Sequence, residues 1–240
     1  MSKKALIVKG GWEGHEPHLV SERFEKFLKN KKFEVEVSET LESFEDGDKL
    51  KNLDLIIPVW TMGEITGDQV NSVLDAVASG VGIAGCHGGM CDAFRESVQW
   101  QFMTGGNWVS HPGGDGVEYT VNIKNSTSPI VEGIDDFKVE SEQYYLHVDP
   151  AVEVLATTRF PTVNWYHVSN KHVDMPVVWT KRWGLGRVFY NSLGHNDDIF
   201  DIPEAFELMK RGLLWAAEGK EIAQKSNRDI SEFTSDQKMF

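Results

Sequence analysis

Nine residues, Val81 to Gly89 (Val-Gly-Ile-Ala-Gly-Cys-His-Gly-Gly), constrain the fold more than any other stretch. An apolar run ends in small residues and then in two glycines, the pattern of a buried strand that turns sharply toward a helix. Within it, Gly85-Cys86-His87-Gly88-Gly89 has the spacing of the elbow that lifts a reactive side chain above the strand ends of an α/β sheet. Glycine suits both flanks because backbone packed close on either side leaves no room for a Cβ. The side chain presented here is an imidazole, a proton carrier and metal ligand near neutral pH. Acid–base or metal chemistry is therefore expected, rather than a covalent acyl-enzyme.

The segments around the elbow repeat a strand–helix rhythm. Lys4 to Lys9 reads as a short strand, and Gly10 to His18 as a loop running into a helix that starts at Pro17 and buries Val20, Phe24, Phe27 and Leu28. Phe33 to Val37 is the next strand. The acidic stretch 39–51 reads as a solvated connection with some helix in it. Leu53 to Trp60 is apolar throughout, as in a strand covered on both faces. Thr66-Gly67-Asp68-Gln69 matches a capping box, and Val70, Val73, Leu74 and Val77 make the apolar stripe of the helix behind it. Alternation of this kind up to about residue 98 predicts a parallel, doubly wound sheet.

After Ser97 the rhythm changes. Gly105 to Gly114 reads as a long glycine-rich loop, and short β-rich pieces follow at Tyr119 to Ile123, Phe137 to Val139, Val152 to Ala156, Val163 to His167 and Val177 to Thr180, which look like antiparallel additions. The parallel pattern returns at Arg187 to Asn191 and ends in Gly194-His195. A helix from Pro203 then turns Phe206, Leu213 and Leu214 to the core. The expected organisation is one α/β domain over 1–219, with an antiparallel β-rich insertion over about 105–183 and a polar C-terminal tail at 220–240.

Composition narrows the partners. A net charge of -13 argues against a nucleic-acid backbone as ligand. No apolar run reaches the roughly 18 residues of a membrane span, and the run from Ala5 to Val8 is too short for a signal-peptide core, so a cytoplasmic location is expected. The two cysteines, Cys86 and Cys91, make neither a disulfide framework nor a C-x-x-C motif. Strand alternation should turn Cys86 inward, where a thiol behaves as a small apolar group. For assembly, the base rate for such chains favours a homodimer.

In open α/β sheets ligands bind beyond the carboxyl ends of the strands. Histidines are expected there after three of the parallel strands: His15 and His18, His87, and His195. A second group, Glu142-Gln-Tyr144-Tyr145-Leu-His147, offers a carboxylate, two phenols and an imidazole. Glu142 paired with His87 would supply the acid and base of a proton transfer. With His15, His147 or His195 the same residues could hold a divalent metal such as zinc, which takes three or four N/O ligands; no tight metal-binding spacing such as H-E-x-x-H is present. Trp12, Trp60 and Trp108 offer flat apolar faces that suit a core or a sugar ring equally.

Taken in order, Gly10-Gly11-Trp12-x-Gly14-His15, Gly85-Cys86-His87-Gly88, Gly105-Gly106-x-Trp108-x-x-His111-Pro112, Glu142-x-Tyr144 and Gly186-Arg187-Val188-Phe189-Tyr190 with Leu193-Gly194-His195 resemble the trehalose-utilisation, or ThuA-like, family. The resemblance extends to about Ala217. It implies a flavodoxin-like sheet of the class I glutamine-amidotransferase type without the usual elbow cysteine. It also implies a role in sugar catabolism, on a small-molecule sugar such as a trehalose-like disaccharide or its keto derivative. Carried over by position, the pocket would contain His15, His87, His111, Glu142, Tyr144 and His195, with His87 and Glu142 as the catalytic pair. One position departs: the family often has an acidic residue before the Glu of Glu-x-Tyr, and this chain has Ser141. The alternative function is a sugar-binding or regulatory protein on the same fold that performs no chemistry.

Overall fold

The structure is a computed structural model and describes residues 2–233. Its strands are β1 (Lys4–Gly11), β2 (Glu34–Ser38), β3 (Leu55–Thr61), β4 (Gly82–Cys86), β5 (Gly106–Ser110), β6 (Val117–Ile123), β7 (Phe137–Ser141), β8 (Tyr145–Val148), β9 (Glu153–Phe160), β10 (Val173–Trp183) and β11 (Gly186–Asn191). The helices are α1 (Pro17–Asn30), α2 (Gly47–Lys51), α3 (Gly67–Ala78), α4 (Gly88–Cys91), α5 (Val98–Thr104), α6 (Pro203–Ala217) and α7 (Gly219–Lys225).

Nine strands form one sheet in the order β2-β1-β3-β4-β11-β10-β9-β6-β7. The first five are parallel neighbours and the last four join by antiparallel pairing. The parallel part has the flavodoxin-like order, which reverses direction between β1 and β3 and opens a crevice there. Alternation along each strand sends side chains to two cores. Ala5, Ile7, Ile57, Ala84 and Cys86 face Phe24, Leu28, Leu208 and Leu213 on one side. Leu6, Val8, Ile56 and Ile83 face Val70, Val73, Val77 and Trp100 on the other. The capping box of α3 forms in full: Gln69 N–H donates to Thr66 Oγ1 at 3.2 Å and Thr66 N–H donates to Gln69 Oε1 at 3.1 Å.

Several expectations are corrected beyond Ser97. The supposed loop at Gly105–Gly114 contains β5, because Gly106 to Ser110 pairs with β8, a strand the sequence reading also missed. α5 precedes it and turns at Gly105, whose φ of 89° favours glycine. Val163 to His167 is no strand: it has no pairing partner, and a 3₁₀ turn occupies Tyr166–Ser169. On α6 the buried stripe is Ala205, Leu208, Met209, Gly212, Leu213, Ala216 and Ala217; Phe206 and Leu214 lie at its half-buried margin. α7 packs Ala223 against Gly80, and its Lys220 Nζ donates to the Leu53 carbonyl at 2.9 Å. A 3₁₀ turn follows at Ile230–Phe233 in the expected tail, and its residues 234–240 lie outside the described residues. Among the described residues no helix is long and apolar enough to cross a membrane.

Candidate functional site

The elbow is built as its spacing requires. His87 follows β4 directly and has φ 45° and ψ -138°, a conformation that is costly for a residue with a Cβ, on the order of 1–3 kcal/mol. Strand β11 holds it there from both sides. His87 N–H donates to the Asn191 carbonyl at 2.8 Å, and the Tyr190 hydroxyl donates to the His87 carbonyl at 3.1 Å. The ring stacks on Tyr144 with centroids 3.9 Å apart.

Three strand ends bring their imidazoles to one place. His15 lies in the turn after β1, and its Nδ1 is 2.8 Å from Thr61 Oγ1 at the end of β3, a bond that bridges the crevice between the two strands. Its ring lies 4.6 Å from that of His87 and 5.2 Å from that of His195, which follows β11. Gly88 makes room for this gathering, since a Cβ there would sit 2.5 Å from the His15 ring.

The antiparallel extension supplies the carboxylate. Glu142 comes directly after β7, its carbonyl fixed by the Tyr119 hydroxyl at 3.0 Å. Its Oε2 lies 3.1 Å from His87 Nε2 and 3.3 Å from His195 Nδ1, and its Oε1 lies 3.5 Å from His111 Nδ1. Ligand atoms of His15, His87, Glu142 and His195 all fall within 4.8 Å of one another, so among the described residues these four could hold a metal ion. All four are buried, His87 to 1% exposure.

Burial and mutual charge set the protonation of the cluster. Burial alone would raise the Glu142 carboxyl, but the His195 and His87 rings against it hold it well below the usual carboxylate range. Burial first, then the neighbouring His87 and His195, push His15 down to about 3. Burial likewise pushes His87 down, against the pull of Glu142. At His195 the effects of Glu142, Asp115 and Asp198 outweigh burial and raise it, so His195 is the ring that takes a proton first.

Of the other residues expected here, Tyr144 forms the wall behind His87, and His111 stands at the rim with 36% of its side chain exposed. Trp12 is half exposed and meets His15 edge-on at 4.7 Å. Trp60 is partly buried and packs in the space left by Gly10 and Gly63. His147 does not join the ligand set. It lies exposed on β8 beside Tyr145, because alternation that turns Leu146 inward turns its neighbour out. His18 is an exposed neighbour of Lys9. Sequence reasoning missed Thr61, the Ser192 carbonyl that accepts from His87 Nδ1–H at 2.8 Å, and Asp115, 3.9 Å from His195 Nε2. Of these, only Thr61 carried a signal, as the residue that closes the β3 run. Cys86 faces the core, and burial pushes its thiol up to about 12, which leaves no thiolate for nucleophilic attack at neutral pH.

Comparison with solved structures finds the same architecture elsewhere. A ThuA-like protein from Bacteroides uniformis superposes with a TM-score of 0.72 at 21% identity, covering 89% of this chain and 91% of its own. A ThuA-like protein from Parabacteroides merdae does so with a TM-score of 0.70 at 18% identity, covering 92% and 91%. A protein of Salmonella typhimurium described as cytoplasmic reaches 0.62 at 12% identity, covering 89% and 99%. At these identities the likeness establishes the fold. No match was found among curated protein sequences. The family model for trehalose utilisation, ThuA, matches residues 4–216. Since that is nearly the whole of a 240-residue chain, the protein belongs to the ThuA, or trehalose utilisation, family.

Proposed function

We propose that the chain is a cytoplasmic enzyme of carbohydrate metabolism that acts on a trehalose-like disaccharide or its keto derivative. Membership of a trehalose-utilisation family supports the substrate class. The observation that carries the catalytic part is the convergence of His87, His195 and His111 on the single carboxylate of Glu142. Titratable groups driven apart by burial and mutual charge are costly to keep and cluster where protons or charge are moved. A neutral sugar needs no such cluster in order to be held.

For a glycoside carrying a carbonyl, one base removes the proton beside the carbonyl and one acid protonates the departing glycosidic oxygen. His87 and Glu142 supply the acid–base pair, directly or through an ion held among the same side chains. His15 and His195 contact the reacting oxygens, Tyr144 and His111 line the pocket, and the exposed face of Trp12 stacks on the sugar ring. A small-molecule sugar and a second copy of the chain are the partners this reading includes; a nucleic acid is not, given the net charge of -13.

The test is product formation from trehalose-like disaccharides and their keto derivatives, followed by NMR. Turnover by the wild type, with kcat/KM lowered roughly 10²–10⁴-fold by His87→Ala and Glu142→Ala, is expected. Sugar binding without any product, unchanged by His87→Gln, would instead establish the non-catalytic reading.

A further inference from the structure

Four side chains at the centre turn ligand atoms toward one another. His87 Nδ1 faces the Ser192 carbonyl at 2.8 Å, and a carbonyl only accepts, so Nδ1 carries the hydrogen. The ring's Nε2 is left facing Glu142 Oε2, 3.1 Å away. His195 Nδ1 approaches the same oxygen from the other side, buried and 3.3 Å away. His15 gives its Nδ1 to Thr61 and keeps Nε2 for the centre.

We propose that His15, His87, His195 and Glu142 bind one first-row divalent transition ion, zinc or a close relative. The reading deepens the function proposed above and rests on it only for the substrate. Its basis is geometric. Ligands of a tetrahedral zinc with bonds of about 2.0–2.1 Å stand roughly 3.3 Å apart, and Glu142 Oε2 stands 3.1 Å from His87 Nε2 and 3.3 Å from His195 Nδ1. All four candidate atoms lie within 4.8 Å, so small side-chain movements close the shell. The supporting layer is also in place, with Ser192 and Thr61 fixing the outer nitrogens of His87 and His15 and the Asp115 carboxylate 3.9 Å behind His195. Three imidazoles among the donors select a borderline ion over magnesium or calcium, which take oxygen ligands. His147 and Cys91, which also carry donor atoms, are outside the cluster.

A bound ion supplies Lewis acidity toward a carbonyl or glycosidic oxygen. His87 is then a ligand, and the ring left to carry a proton to and from the sugar is His111, beside Glu142 Oε1 and open to solvent.

The experiment strips the purified protein with a chelator and titrates it with Co²⁺, read by its visible ligand-field absorption, and with Zn²⁺ against a chromophoric competitor. About one ion per chain is expected. His195→Ala and His15→Ala should each weaken binding at least tenfold, and His147→Ala should leave it unchanged. Absence of a cobalt spectrum in the wild type, a result that depends on no variant folding, would overturn the proposal; so would affinity unaltered in both His15 and His195 variants. Turnover of the sugar by protein that gives no cobalt spectrum would overturn the ion and leave the proposed function standing. A bound ion with no turnover of any glycoside would do the reverse.

Discussion

The two parts of the sheet treat histidine differently. After the parallel strands, His15, His87 and His195 are drawn together and buried. In the antiparallel extension, His147 and His172 are exposed, His167 is half-buried against Tyr145 and Phe160 away from the centre, and His111 alone reaches the centre, at its rim. Parallel strands all end on one edge, so whatever follows them meets at that edge whatever its place in the chain. Antiparallel strands send successive residues to opposite faces and successive ends to opposite edges, which disperses side chains close in sequence. Yet the extension gives the one group the parallel edge lacks. Glu142 meets the imidazoles at the ends of β4 and β11 and joins them into one electrostatic unit.

Removing that contribution is the severest test of the comparison. Glu142→Ala should lower kcat/KM for a confirmed substrate by roughly 10²–10⁴, and a loss below about tenfold would mean that the parallel edge works alone. Next comes the acid limb of stability. Unfolded His15 binds a proton below about 6.5, whereas folded His15 resists until about 3. The unfolded state therefore holds more protons as pH falls through that window, and stability drops by up to about 1.4 kcal/mol per pH unit. In chelator-treated protein, urea unfolding between pH 6 and 4 should show a shallower decline for His15→Gln than for the wild type; parallel declines would show that the ring is not held neutral.

Gly88→Ala probes the room the parallel edge makes for its rings. The added methyl falls 2.5 Å from the His15 ring, and the displacement should cost about 1–3 kcal/mol in chemical denaturation. The mildest test is His147→Ala, for which stability within about 0.5 kcal/mol of the wild type and unaltered turnover are expected. A clear effect there would extend the site onto the β8 face.

The same contrast explains what the sequence disclosed. The parallel half was readable because most of its strands are apolar runs and its long helices carry start signals, Pro17, the Thr66–Gln69 box and Pro203. The elbow glycines announced His87, and strand ends announced His15 and His195. Glu142 and Tyr144 were legible as chemistry, but their direction was not. Glu142 and Tyr144 lie in the connection between β7 and β8, where Ser141 to Tyr144 are all buried and no alternation sets a direction; on β8 itself Leu146 turns inward and His147 outward. Strand β5 was hidden by Gly105-Gly106, since its existence depends on pairing with a distant strand. Val163 to His167 has the composition of a strand and no neighbour to pair with. Ser192 was invisible because its carbonyl acts, and a carbonyl has no signature in the sequence.

The central claim is that the imidazoles of the parallel edge and the carboxylate of the extension act as one unit. A double-mutant cycle on kcat/KM with His87→Ala, Glu142→Ala and the combined variant tests it most directly. Groups that act together are lost together, so the double variant should fall within about tenfold of the worse single variant. Losses that multiply would contradict the claim and leave two independent groups that merely lie 3.1 Å apart.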